Sequence, residues 1–272
     1  MSGRTYRNGK LIDGDCLDER AFVYADGVFE TMRAREDHIP LWCFHRERLK
    51  CAAERLGLPI CFETLEAQLE QALSVNRESH QIVKLIIGRA GEARGSYLPK
   101  ASSVNSFILL KHFAPSEQRS GVDLVTTRSE LLDRSDFAGL KLINRLPYIV
   151  AASKVNVAKG SELLFLNSAA QVLESMHHNI FVLKDRKLYT PDLINFGVKG
   201  VMRECIIERL APSLSLNVRM RELSLEDLYG ADAVFLTNAV EGIVPVASID
   251  GKSLKLNTLL SPLQGALARY YQ

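Results

Sequence analysis

Lys141 stands in Gly139-Leu140-Lys141-Leu142-Ile143-Asn144-Arg145, a mostly apolar run. A lysine hemmed by Leu140, Leu142 and Ile143 either runs its stem along apolar surface to water or is desolvated. Desolvation lowers an amine's pKa and makes it a usable nucleophile or base. Glu174 ends the strand-like run Gln171-Val172-Leu173-Glu174. A carboxylate buried there needs a cation or a proton donor, which a protonated ring nitrogen or an arginine would supply. Gly197-Val198-Lys199-Gly200-Val201-Met202-Arg203 is a glycine-bearing turn entering a helix, where free N–H groups and the helix dipole suit a phosphate. Gly88-Arg89-Ala90-Gly91-Glu92-Ala93-Arg94-Gly95 lacks the Lys-Ser/Thr ending of a nucleotide-binding loop, and its arginines suit a carboxylate. Arg48, in His45-Arg46-Glu47-Arg48, either meets an anion or faces solvent. His177 and His178 adjoin, and neighbours on a strand point to opposite faces, so they are poorly placed to share an ion. No metal site is expected.

These residues need elements to hold them. Val28-Phe29-Glu30-Thr31-Met32-Arg33 reads as a strand with Phe29, Thr31 and Arg33 on one face. From about His45, Leu49, Ala52, Ala53 and Leu56 form a helical stripe that Gly57 and Pro59 end. Thr64 is a plausible N-cap for a second helix burying Leu65, Leu69, Ala72 and Leu73. Strands follow at 81–89 and 106–113. The polar stretch 114–121 reads as a linker between a first domain, 1–113, and a second, 122–272. The second half is strand-rich, at 122–127, 162–166, 172–175 and 179–183, with hairpin turns at Asp185-Arg186 and Asp250-Gly251. Helices are expected near 147–159, 201–210, 225–228 and 262–271, the last begun by Ser261-Pro262.

Bulk properties exclude several classes. The 272 residues carry 34 basic and 32 acidic side chains, a formal net charge of +2, with no basic face for nucleic acid. The five cysteines are scattered, without a C-x-x-C pair, so neither a disulfide framework nor a zinc knuckle is expected. No apolar run approaches the roughly 18 residues of a membrane span, and no signal peptide is visible. A reduced, cytoplasmic protein is the expectation.

Taken in order, the segments resemble the fold-type IV pyridoxal-phosphate enzymes, the class IV aminotransferase family. The likeness runs from Asp26-Gly27-Val28-Phe29-Glu30-Thr31 to Pro245-Val246. Its most telling pieces are His45-x-x-Arg48-Leu49, Lys141-x-x-Asn144-Arg145-Leu146, Glu174-x-x-x-x-Asn179-Ile180-Phe181 and Gly197-Val198-x-Gly200-Val201-x-Arg203. The resemblance implies an α+β, two-domain fold: a small α/β domain, then a larger domain with a barrel-like sheet, and an active site between them. It implies pyridoxal 5'-phosphate as cofactor, with Lys141 as Schiff-base lysine and proton shuttle and Glu174 on the pyridine nitrogen. Arg48 would clamp the phosphate with the backbone at Gly200-Val201 and the turn at Asn238-Ala239. Arg33 and Arg94 match substrate-facing positions and would bind carboxylates.

Within the family, Lys141-x-x-Asn144-Arg145-Leu146 and Asn238-Ala239-Val240-Glu241-Gly242-Ile243-Val244-Pro245-Val246 look most like aminodeoxychorismate lyase. That implies conversion of 4-amino-4-deoxychorismate to 4-aminobenzoate and pyruvate, a step toward folate. The alternative is an aminotransferase of D-amino or branched-chain amino acids. A homodimer is implied by the family. One departure stands out: relatives carry small residues after Glu174, where this chain has Met176, His177 and His178.

Overall fold

The computed structural model describes residues 4–11, 19–75, 78–91, 97, 103–114, 121–133, 135–255 and 260–271. The chain divides into two compact units, Met1–Pro115 with Leu140–Asn144, and Ser116–Gly139 with Arg145–Gln272. Of the expected linker, residues 115–120 lie outside the described residues.

The first unit holds β1 (Arg4–Arg7), β2 (Lys10–Leu11), α1 (Arg20–Val23), β3 (Gly27–Arg35), α2 (Trp42–Leu56), α3 (Phe62–Val75), β4 (His80–Arg89) and β5 (Val104–His112). The strands form an antiparallel sheet in the order β2-β1-β5-β4-β3. Strand β3 alternates cleanly, burying Val28, Glu30, Met32 and Ala34 while Phe29, Thr31 and Arg33 stay half-exposed on the other face. Leu49 and Ala52 of α2 and Leu65, Leu69, Ala72 and Leu73 of α3 pack on the buried face. Gly57 closes α2 with a φ of 60° and an N–H bond to the Ala53 carbonyl.

Two helix starts differ from the sequence reading. Helix α2 begins at Trp42, after a left-handed Leu41 with φ 63°, because Phe44 and His45 are buried with the stripe and extend its face by a turn. Helix α3 begins at Phe62, so Thr64 lies inside it, its hydroxyl 3.2 Å from Cys61 Sγ instead of capping.

Strand β3 would be a sheet edge, and Leu140–Asn144 lies along it. The Phe29 N–H donates to the Lys141 carbonyl at 3.0 Å, the Ile143 N–H donates to the Gly27 carbonyl at 3.1 Å, and Val28 bridges Leu142. This pairing is why Leu140–Asn144 belongs to the first unit. It also requires a glycine: a Cβ on Gly27 would stand 2.2 Å from the Ile87 carbonyl oxygen and 3.0 Å from Ile143 Cδ1.

The second unit holds β6 (Val122–Arg128), α4 (Leu146–Ala152), β7 (Glu162–Leu166), β8 (Val172–Ser175), β9 (Asn179–Lys184), β10 (Lys187–Thr190), α5 (Val201–Cys205), α6 (Ala211–Ser213), β11 (Asn217–Met220), α7 (Leu225–Tyr229), β12 (Ala233–Asn238), β13 (Gly242–Ile249), β14 (Lys252–Ser253) and α8 (Ser261–Ala268). A π-helical turn, Ile206–Leu210, joins α5 to α6. The sheet order is β11-β10-β9-β12-β13-β6-β7-β8, with β14 on β13. Strand β8, at one end, runs through three residues into β9, third from the other end, with the Ser175 N–H bonded to the His178 carbonyl at 2.8 Å. The sheet therefore curls back on itself, giving the barrel-like form expected. Asp185 and Arg186, at φ 48° and 57°, make the tight β9–β10 hairpin. Helix α4 stops at Ala152, well short of the expected 159: β-branched Val155 and Val157 pack on the core outside the helix, alongside Tyr148 and Phe165. No helix among the described residues is long and apolar enough to cross a membrane.

Candidate active site

The pairing along β3 sets Lys141 beside Phe29. Its half-buried side chain brings Nζ 4.5 Å from the centre of the Phe29 ring, which shields one side of the amine from water. Lys84 of β4 comes to 5.4 Å from the same ring. Arg33 lies four residues along the same face of β3, roughly 13 Å from Phe29 by the strand rise, with its guanidinium 5.3 Å over the Phe113 ring. Arg94 lies outside the described residues.

On the buried face of β3, Glu30 meets α2. It accepts from Arg48 Nε at 2.8 Å, from Arg48 Nη2, and from His45 Nδ1 at 2.7 Å. The HxxR spacing puts both donors one helical turn apart on the face that covers β3. Burial would raise the Glu30 pKa, but Arg48 and His45 outweigh it and hold the carboxyl at about 2. Burial likewise lowers the pKa of His45, against the pull of Glu30, with the Arg48 and Lys141 charges adding to the fall. Arg48 thus has one edge of its guanidinium fixed, its side chain only 11% exposed. His45 Nε2 is buried and has no hydrogen-bond partner among the described residues.

The Glu30 carboxylate yields a prediction. Glu30→Gln leaves the Arg48 charge poorly compensated and is expected to cost about 3 kcal/mol at pH 7 in urea unfolding. Because the folded pKa is depressed, the contribution is present above about 4.5 and is lost as pH falls toward about 2. The wild-type advantage over the variant should shrink across that window. An advantage that persists unchanged to pH 2 would contradict the assignment.

In the second unit, Glu174 is the last residue but one of β8 and is 3% exposed. Oε1 accepts from the Tyr148 hydroxyl, and Oε2 accepts from Asn179 Nδ2 at 3.1 Å and the Val198 N–H at 2.9 Å. Burial and the adjacent carboxylate push the Tyr148 phenol well above its ordinary pKa, so it remains a donor. Asn179 Nδ2 also reaches the Val198 carbonyl at 2.8 Å, binding the glycine turn to β9. That turn tolerates no side chain at Gly200, where a Cβ would lie 1.9 Å from Asn179 Oδ1. Val201 opens α5.

Asn238 ends β12, and its Oδ1 accepts from the Val240 and Glu241 N–H groups at 2.8 and 2.7 Å, folding the turn tightly. The Ala239 carbonyl accepts from the Tyr271 hydroxyl at 2.8 Å. Next to this turn, the buried Thr237 hydroxyl has no partner among the described residues. His177 and His178 lie in the bend between β8 and β9 and not on a strand as expected; His178 is buried and His177 exposed. His178 spends both ring nitrogens on carboxylates, Glu162 on Nδ1 and Glu241 on Nε2.

The expected residues other than Arg94 fall in two groups. Lys141, Arg33 and Arg48 sit on and beside β3, while Glu174, Gly200-Val201 and Asn238-Ala239 belong to the curled sheet and its turns. The roles of Glu30, Tyr148 and Asn179 were not foreseen; for Asn179 the signal was its fixed place in the motif after Glu174.

The sequence model of the class IV amino-transferases matches residues 27–249, from the start of β3 to the end of β13. The chain belongs to this family. An aminodeoxychorismate lyase of Vibrio harveyi is 30% identical over 261 residues, covering 92% of this chain and 94% of the relative. The crystal structure of the 4-amino-4-deoxychorismate lyase of Pseudomonas aeruginosa superposes with a TM-score of 0.85 at 29% identity, covering 97% of this chain and 98% of that one. At 18% identity, a hypothetical aminotransferase from Mycobacterium tuberculosis in its PLP-bound form shares the fold, with a TM-score of 0.82 and 98% of both chains covered.

Proposed function

We propose that this chain converts 4-amino-4-deoxychorismate to 4-aminobenzoate and pyruvate with pyridoxal 5'-phosphate as cofactor. The observation that carries the cofactor reading is Glu174: a buried carboxylate fixed by three donors, suited to a protonated ring nitrogen. The substrate reading rests on the two lyases that match nearly the whole chain at 29–30% identity.

The residues present fit the coenzyme. Among the described residues, His45 Nε2, on the helix that carries Arg48 in the first unit, and the Thr237 hydroxyl, beside the Asn238-Ala239 turn in the second, are each buried without a partner. Gly200-Val201 would add backbone N–H groups. When bound, pyridoxal phosphate supplies an electron sink, which makes the carbon next to the substrate amine acidic. Lys141 would hold it covalently and, once displaced by the substrate amine, would use Nζ to take the ring proton. Removal of that proton would let the ring C–O bond break, so that the enolpyruvyl group leaves as an enolate, takes up a proton to become pyruvate, and leaves an aromatic ring. Glu174, held as an acceptor by Tyr148, Asn179 and the Val198 N–H, would be the partner of a proton on the ring nitrogen. Arg33, Lys84 on the same sheet face, and Arg94 would hold the substrate carboxylates and fix the reacting C–H bond.

Purified protein with pyridoxal phosphate and 4-amino-4-deoxychorismate should release pyruvate and 4-aminobenzoate in equal amounts, with no keto acid added. The second reading, which rests on the family, predicts amino transfer from a D-amino or branched-chain amino acid to 2-oxoglutarate and no 4-aminobenzoate. We also propose that the product feeds folate synthesis in the cytoplasm and that the enzyme is a homodimer, testable by light scattering as twice the 30.4 kDa chain mass.

A further inference from the structure

The sheet of the second unit carries a three-residue ionic bridge that the reaction does not use. His178 lies immediately before β9, its side chain 1% exposed. Its Nδ1 is 3.1 Å from Oε2 of Glu162, the first residue of β7, and its Nε2 is 2.9 Å from Oε2 of Glu241, in the turn between β12 and β13. Ser175, at the end of β8, donates from its hydroxyl to Glu162 at 2.5 Å and accepts from the His178 N–H at 3.2 Å. Ionised carboxylates only accept, and a neutral imidazole has one N–H. Both contacts hold together only if both nitrogens carry protons. Each carboxylate faces a different nitrogen, so the arrangement is a hydrogen-bonded bridge.

We infer that His178, as an imidazolium shared by Glu162 and Glu241, is a positioning residue that latches the Asn238–Glu241 turn to the sheet and so makes cofactor retention depend on pH. The coupling to cofactor rests on the functional reading above, in which that turn helps hold the phosphate. Side chains from outside the turn hold it to the rest of the unit, among them His178 on the Glu241 carboxylate and the Tyr271 hydroxyl on the Ala239 carbonyl. Deprotonation removes one of the two ring bonds. Glu241 lets go first, because its side chain is 33% exposed and can be solvated, whereas that of Glu162 is 12% exposed and also bound by Ser175. The charged groups acting on the bridge are Glu162 from β7, Glu241 from the turn, and His177, whose charge acts on Glu162.

Burial would lower the His178 pKa, but the two glutamates outweigh it and raise it above the usual 6.5. The latch is therefore complete below about 6.5 and is lost as pH rises through the raised value.

The test compares wild-type holoenzyme with Glu241→Gln between pH 6 and 9, since glutamine can donate to or accept from a neutral ring. Nitrogen-15 histidine NMR reads the His178 titration, identified by the signal missing in His178→Gln, and fluorescence reads the rate of pyridoxal phosphate loss. In wild type the ring should titrate above the usual histidine range, with cofactor loss accelerating about tenfold across the same step, the worth of one charge-assisted hydrogen bond. In Glu241→Gln the titration should move down and the step in cofactor loss should vanish. A His178 that titrates in the ordinary range or lower, or an unchanged step in Glu241→Gln, overturns the inference. A protein that takes up no cofactor overturns the functional reading and the coupling, while the NMR titration still decides the latch.

Discussion

Lys141→Ala is expected to lower turnover of 4-amino-4-deoxychorismate on the order of ten-thousand-fold while leaving the protein folded. The loss follows because one amine is assigned two tasks, holding the coenzyme and moving the ring proton, and proton transfer alone is worth up to about 10^4. The fold is spared because what Leu140–Asn144 gives to the sheet is backbone. The Phe29 N–H bond to the Lys141 carbonyl and the Val28–Leu142 bridge use no part of the lysine side chain. Urea unfolding should shift by less than about 1 kcal/mol. Steady-state kinetics beside the unfolding curve separate the two effects. A variant retaining a tenth of wild-type turnover would show that another group does the work, with Lys84, on the same ring of Phe29, the first to examine.

Glu174→Gln is expected to lower kcat by about 10^2- to 10^3-fold with the coenzyme still bound. Glutamine keeps the shape. Its carbonyl oxygen takes the place of Oε2, where two N–H donors, from Asn179 and Val198, require an acceptor. The amide nitrogen then falls beside the Tyr148 hydroxyl, which can turn to accept. What is lost is the negative charge proposed to hold a proton on the ring nitrogen, and without it the electron sink would weaken. This predicts a fall in kcat larger than any rise in KM. The absorbance band of the bound coenzyme should shift in the same variant. Unchanged kcat with an unchanged spectrum would place the ring nitrogen elsewhere.

Much of this architecture was readable from local signals. Alternation in β3, the helical stripe of α2 and the glycine that ends it depend on near neighbours, and so did the paired turn residues Asp185 and Arg186. Arg48, Lys141, Glu174 and Gly200 were marked by the resemblance of the four motifs to the family, since each residue alone also fits a structural role. What escaped was pairing over distance. Glu30 looked like one more strand residue until α2 packed over β3 and set His45 and Arg48 against it. Tyr148 reads as an ordinary apolar helix residue, since nothing nearby in sequence signals the carboxylate 26 positions on. His178 was seen as a departure from the family, but its partners come from β7 and from the turn after β12. The helix ends failed for a related reason, because burial of Phe44 and His45 and packing of Val155 and Val157 overrode local preference.

The central claim is that the Lys141 amine carries the coenzyme, and peptide mapping after borohydride reduction tests it most directly. Wild-type protein reconstituted with pyridoxal phosphate should turn yellow and, once reduced and digested, carry the phosphopyridoxyl mass on the peptide containing Lys141 and on no other. A colourless protein, or a label on Lys84 or Lys199 instead, would contradict the account.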